Sequence, residues 1–467
     1  MIDRTALEVA AAVRSREVTA AVVTEATLAR IESRNAEFNA FTTVTAQRAR
    51  KEAAAIDAAL ARGEEVGPLA GVPYAVKNLF DVAGLTTIAG SRIDADNPPA
   101  VRDAAAIRQL QAAGAVLVGA LNMSEYAYGY TTENTHYGPA RNPHDVARSA
   151  GGSSGGTAAA LAGGLVPVAL GSDTNGSIRV PSSLCGLFGL KPTFGRLSRL
   201  GVRLFAASFD HVGPMARSVC DLAAFYDAMQ GPDSDDVVCA ATGVEPVLPE
   251  LDRGGEGLRI AIADDYFAPH GIDHALAAVE HVARALNISQ RVTIPEAGRA
   301  RAAAVVITAA ESGNLHYADA RKRPKDFDPT TRDHFLSGTL VPANWVVQAQ
   351  RFRQWYRLRA SELFRSFDII ITPATPCPAP LLGQEHVMTI NGVEMTARRH
   401  LGMFTQPISF IGLPVVVAPV HLDGKLPIGV QIIAAPWREL DALCLARHLE
   451  REGIASAPLP ASLSHVR

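Results

Sequence analysis

No apolar run in this chain is long and unbroken enough to span a bilayer. The longest, Ala158–Ala169, is interrupted by Gly163, Gly164 and Pro167 and falls short of the roughly 20 residues a spanning helix needs. The opening stretch, MIDRTALEVAAAVRSREVT, carries charges every few positions and has no apolar centre of the kind a secretory leader requires. Cysteine is scarce and scattered. Cys185, Cys220, Cys239, Cys377 and Cys444 show no CxxC spacing, and an odd number argues for reduced thiols, hence a cytoplasmic setting. The 13 histidines include no HExxH and no Cys/His cluster, so neither a metal nor another cofactor is expected. His144, His211 and His316 stand alone and read as ordinary core or surface residues. Neither charge sign dominates. With 44 Lys and Arg against 47 Asp and Glu, the net charge of −3 gives no electrostatic case for nucleic acid or an anionic membrane as partner.

What is present is an ordinary globular balance, 48% hydrophobic over 467 residues, enough for one very large domain or two to three standard ones. Thr19 can cap a helix over Ala20–Arg34 that stops at Asn35, and a second helix runs from Thr45 to Arg62 with Gly63 as its stop. Strand-like Tyr74–Lys77, a helix Asp103–Gly114, a strand Val116–Gly119, a helix Gly155–Ala162 and a strand Val166–Gly171 follow. This alternation implies an α/β fold, with a large mixed, mostly parallel sheet covered by helices on both faces. Residues 231–345 have weaker patterning, with Ala275–Leu286 the clearest helix, and read as an excursion from the sheet suited to substrate-specific loops. The sheet resumes at Asp368–Ile371 and Pro414–Val420. Asp423-Gly424 then turns the chain back into Ile428–Ala434, and a last helix repeats Ala442, Leu445, Ala446 and Leu449. No linker interrupts this order. The expectation is one domain over 1–467: helices in 1–65, a chemistry-bearing core in 66–230, a variable region in 231–345, and a return to the sheet in 346–467.

Residues 148–181, RSAGGSSGGTAAALAGGLVPVALGSDTNGSIRVP, hold two serine–glycine clusters, with Ser177 lying 24 residues after Ser153. Glycine lets a ligand approach the main chain closely. A phosphate cradle is one reading, since a glycine-rich loop entering a helix presents N–H groups to an anion, but GxxxxGK[ST] is absent. Acyl transfer is the other. It needs an activated hydroxyl, a base and donors for an oxyanion. The loop 172–176 precedes Ser177, so the amides of Thr174, Asn175, Gly176 and Ser177 are natural oxyanion donors. GxSxG is missing at both serines, so the base must come from outside a Ser-His-Asp elbow.

With Lys77 in GPLAGVPYAVKNLFDVAG (67–84), the segments GALNMSEYAYG (119–129), 150–193, FDHVGPMARSVCDLA (209–223), GLPVVVAPV (412–420) and LPIGVQII (426–433) resemble the amidase signature hydrolases over nearly the whole chain. The resemblance implies that fold and a catalytic triad: Lys77 as base, Ser153 as a bridging serine after a cis peptide from Gly152, and Ser177 as nucleophile. Lysine is a base near neutral pH only if burial disfavours its charge, and the apolar strand VPYAV before Lys77 suits that. Asp173 and Arg179 flank the nucleophile and can pair. Cys185 reads as a small buried hydrophobe.

TTENTHYGP (131–139), Asn175 where most relatives have glycine, and LKPTFGRLSRLG (190–201) resemble the 1-carboxybiuret hydrolases of s-triazine breakdown within that family. That implies a terminal carboxamide on a small anionic substrate, with ammonia released. Substrate-binding candidates are then Tyr126, beside Tyr128, together with Ser154, Arg179 and Arg399. Arg398 and His400 adjoin Arg399, and Arg398 reads equally well as part of a solvated basic turn. A glutaminase subunit of a tRNA-dependent amidotransferase is the alternative within the family, although HLGMFTQPISF (400–410) lacks the acid expected to hold glutamine. A non-catalytic binding module on the same fold is the alternative from another class, and the three intact catalytic positions stand against it. Relatives imply a small helical partner subunit, and a homodimer is a further expectation.

Overall fold

The computed structural model describes residues 4–383, 386–390 and 393–464. Eleven strands drawn from most of the chain form one sheet, in the spatial order Phe41–Val44, Val116–Leu121, Pro73–Lys77, Val168–Asp173, His211–Ala216, Phe188–Lys191, Val415–Val420, Ile428–Ala434, Ile369–Pro373, Ile260–Ala263, Arg291–Val292. Pro73–Lys77 runs parallel to both its neighbours, and so does Ile260–Ala263. All other neighbours are antiparallel. The sheet is mixed, as expected, but the expectation that parallel pairs predominate is corrected. His211–Ala216 doubles back between two earlier strands, and the Asp423-Gly424 turn closes an antiparallel hairpin.

Most strands of the sheet's middle are buried on both sides, which is why they read as near-continuous apolar runs rather than alternating ones. Helices Gly155–Ala162 and Arg179–Leu184 pack on each other and on the sheet, while Val219–Met229 and Glu439–Arg451 form a second such pair. Each fully buried Val or Ile here contributes about 1.5–3 kcal/mol relative to exposure, so the ends of these strands are firm platforms for side chains.

Helix ends follow side-chain chemistry. The Thr19 hydroxyl accepts from Val22 N, starting the helix Ala20–Phe38. The helix ends not at Asn35 but at Asn39, which takes the left-handed cap (φ 51°). The Asn35 side chain instead bonds both the N–H and the C=O of Phe41, steering the chain into the first strand. Region 231–345 also departs from expectation. It holds the helices Asp273–Ala285, Ala297–Leu315 and Pro329–Gly338, and two of its segments, Ile260–Ala263 and Arg291–Val292, rejoin the sheet at its edge. It therefore adds two edge strands to the sheet, while its helices lie outside the sheet. No helix among the described residues is long and apolar enough to cross a membrane.

Candidate active site

Pro73–Lys77 and Val168–Asp173 are adjacent parallel strands, so their C-terminal ends lie side by side. The first ends at Lys77. The second runs two residues further than the sequence suggested, placing Ser172 and Asp173 in the strand and leaving only 174–176 before Ser177. Lys77 Nζ donates to Ser153 Oγ at 2.6 Å and to Ser172 Oγ at 2.9 Å. The Gly152–Ser153 peptide is cis. Lys77 is fully buried. Burial pulls its ammonium from 10.5 down to about 7, against Asp210 and Asp173, which raise it.

The nucleophile loop is held from several sides. Thr174 donates its hydroxyl to Asp210 Oδ1. The Asn175 carbonyl accepts from Thr405 Oγ1 at 2.5 Å and from the Tyr130 hydroxyl at 3.2 Å. Gly176 has φ 139°, and a Cβ there would collide with the Thr405 side chain, so this position requires glycine twice over. Among the described residues, the amides of Thr174, Asn175, Gly176 and Ser177 donate to no protein acceptor. His211, read from sequence as ordinary, is buried beneath the loop. Its Nδ1 meets the Asp173 carbonyl at 3.0 Å and its Nε2 meets Lys191 Nζ at 3.3 Å.

Thr174, Asn175 and Ser177 line a cavity of about 600 Å³. Tyr128, Gly129 and Tyr130 form one wall, and Arg398, Arg399 and His400 another. Arg301, Val305, Thr308, Asp333, His334 and Ser337, all from the weakly patterned region, form a third. Arg301 and His334 had no signal in the sequence, because a lone arginine or histidine on a surface helix looks like any solvated residue. Among the described residues, no three His, Cys, Asp or Glu side chains converge as a metal-ligand set.

Of the four substrate-binding candidates, only Arg399 lines this cavity. Arg179 is corrected to a structural role. It is fully buried, and its five N–H groups go to Asp173 Oδ1 (2.9 Å) and Oδ2 (3.0 Å), Gln431 Oε1 (2.8 Å), the Thr405 carbonyl (3.1 Å) and Ser409 Oγ (2.5 Å). Burial alone would raise the Asp173 carboxyl, but the Arg179 charge and hydrogen bonds outweigh it and hold the group at about 2. Arg179→Ala would strand a buried carboxylate, and the expected loss is about 3–5 kcal/mol of folding stability. Denaturant unfolding checks this. An unchanged midpoint, with only the KM for anionic amides raised, would return Arg179 to substrate binding.

Ser154 is likewise internal, since its hydroxyl bridges the Ser172 carbonyl (3.3 Å) and N–H (3.4 Å). Tyr126 is also corrected. It and Ala127 take left-handed conformations (φ 48° and 62°), which send the Tyr126 ring away from the cavity onto His316 at 3.9 Å and toward Phe327 and Phe335. Its neighbour Tyr128 faces the cavity and stacks on His334 at 3.9 Å.

The Amidase family model matches residues 22–443. The chain is 54% identical over 452 residues to AtzE, a 1-carboxybiuret hydrolase subunit of Pseudomonas sp. (strain ADP), covering 96% of this chain and 98% of that one. It is 37% identical over 487 residues to a glutamyl-tRNA(Gln) amidotransferase subunit of Anaeromyxobacter sp. (strain K), covering 97% and 96%. Among solved structures, one described as a vestigial protein complex revealing the evolutionary origins of an s-triazine catabolic enzyme superposes with a TM-score of 0.96. It is 52% identical, over 97% of this chain and all of that one. The crystal structure of an amidase, 30% identical over 96% of this chain and all of that one, superposes at 0.86. The whole central sheet and the segments carrying Lys77, Ser153 and Ser177 fall inside the matched span, and the chain belongs to the amidase signature family of hydrolases.

Proposed function

We propose that this protein hydrolyses the terminal carboxamide of a small anionic, carboxybiuret-like substrate and releases ammonia. The observation that carries the reading is that Arg301, Arg398 and Arg399 line the same cavity as Ser177. Among the described residues, the one carboxylate in that lining, Asp333, is mostly exposed and already paired with Arg332 at 2.9 Å. Such a cavity favours an anion. Asn175 adds a second complement: its side-chain carbonyl is buried without a partner among the described residues and suits the N–H groups of a biuret-type backbone.

In the proposed cycle, neutral Lys77 takes the Ser153 proton while Ser153 takes that of Ser177, whose Oγ attacks the carboxamide carbon. The oxyanion rests on the amides of Thr174 to Ser177. Ser153 then protonates the departing nitrogen, ammonia leaves, and water repeats the sequence on the acyl-enzyme to release the acid. We further read the chain as one domain built on the single sheet, at work in the cytoplasm, where its five unpaired cysteines stay reduced. A small helical partner subunit or a second copy completes our proposed assembly.

The test is ammonia release from 1-carboxybiuret, biuret, malonamate, glutamine and simple aliphatic amides. A kcat/KM for the carboxylated amides at least about tenfold above the neutral ones is expected. Preference for glutamine would instead support the glutaminase reading, and no turnover of any of them would favour a binding module.

A further inference from the structure

Among the described residues, Arg398 is the one half-buried arginine of the cavity whose guanidinium is left without a partner, with its Nε fully buried. Arg301 donates through Nε to Gln406 Oε1 at 2.9 Å and through Nη2 to the Arg399 carbonyl at 3.5 Å. Arg399 is exposed and reaches the Tyr128 hydroxyl. Arg398 Nε has no hydrogen-bond partner, and no ion pair reaches the side chain among the described residues. The carboxylates that act on it do so from a distance, and each is engaged elsewhere. Asp328 accepts from Thr330 N (2.8 Å) and Thr135 N (3.0 Å), Glu125 from Asp328 N (2.9 Å) and the Thr331 hydroxyl, and Glu133 from Gly383 N (3.0 Å). A guanidinium with a buried, unmatched N–H and no counter-ion carries a desolvation cost, and the cost is relieved when a carboxylate forks onto it. We propose that Arg398 is the specificity residue that receives the substrate's carboxylate, which rests on the reading of the substrate as a small anion.

The surroundings support this and add a direction. Gly129, at φ 104°, leaves the wall bare where the guanidinium lies, since a Cβ there would meet Arg398 Nε at 3.4 Å. Tyr130 donates its N–H to the Arg398 carbonyl at 3.3 Å and its hydroxyl to the Asn175 carbonyl at 3.2 Å. One residue thus ties the carboxylate end of the cavity to the loop that holds Ser177. With the anion fixed at Arg398, the carboxamide offered to Ser177 is the one at the opposite end of the substrate. This accounts for cleavage of a terminal amide rather than of the bond next to the carboxylate.

The experiment compares kcat/KM for two pairs, 1-carboxybiuret against biuret and malonamate against malonamide, in the wild type, Arg398→Gln, Arg398→Lys and Arg399→Gln. Arg398→Gln is expected to lower the anionic-to-neutral ratio by about 100-fold or more. Arg398→Lys should restore part of it and Arg399→Gln should lower it by less than about fivefold. A wild type with no anionic preference overturns the proposed substrate class. A wild-type preference that survives in Arg398→Gln overturns only the assignment to Arg398. Should the variants fail to fold, phenylglyoxal modification of the wild type with mass readout decides the matter. Protection of Arg398 by malonate is expected, and an equal rate of adduct formation with and without malonate overturns the assignment.

Discussion

Ser177→Ala is expected to lower kcat for the preferred amide by about 10⁴-fold or more, with KM changed by less than about threefold. A fluorophosphonate probe should then leave no adduct by intact mass. Other hydroxyls line the cavity, those of Thr174, Thr308 and Ser337 among them, so the assignment rests on what surrounds Ser177. It directly follows Gly176, whose backbone no other residue type could adopt in the presence of Thr405. It also sits beside amides that donate to no acceptor among the described residues and that can therefore meet an oxyanion without first giving up a bond. None of the other three hydroxyls combines these features. The fold should survive, because alanine fits wherever this small, nearly buried serine does. Residual activity above about 1% with an adduct still formed would move the nucleophile elsewhere. Ser153→Ala should cost less, about 10²–10³-fold, because a water molecule can stand in for a proton relay but not for a bond-forming oxygen.

The pairing of Lys77 with Ser153, 76 residues apart, was legible only through the resemblance to the amidase signature hydrolases, because the spacing of the residues alone left a phosphate cradle open. The substrate side was not, and its failures share a cause. Arg179 and Arg398 look alike in sequence, each a basic residue near apolar segments. Only the tertiary fold shows that one has all five donors satisfied by Asp173, Gln431, Thr405 and Ser409, while the other has none matched among the described residues. Tyr126 and Tyr128 are likewise indistinguishable until two left-handed residues send their rings to different places. Arg301 and His334 reach the cavity from helices whose periodicity is weak, so no pattern marked their inward faces. The sheet was misjudged for a related reason. Helix–strand alternation predicts crossovers, but the return of His211–Ala216 between Val168–Asp173 and Phe188–Lys191 is decided by pairings far apart in sequence.

The wild-type pH profile should identify Lys77 as the base. Its buried ammonium titrates at about 7, and only the neutral form can take the Ser153 proton. kcat/KM should therefore rise about tenfold per pH unit below pH 7 and level off above it. An unburied lysine would put the ascending limb near 10. Lys77→Met should lower kcat/KM by about 10³–10⁴-fold and remove the limb. A second buried lysine, Lys191, is also drawn by burial to about 7, so the control is Lys191→Met, in which the limb should persist. Stability supplies an independent reading of the same group. Because the folded value lies below the unfolded one, the unfolded chain binds more protons between pH 7 and about 10.5. The burial penalty of Lys77 is thus full below pH 7 and is relieved as pH rises through that window. Unfolding free energy should climb with pH across it in the wild type and climb less steeply in Lys77→Met. A limb that survives in Lys77→Met, or one that vanishes in Lys191→Met, would transfer the role of base from Lys77 to another group.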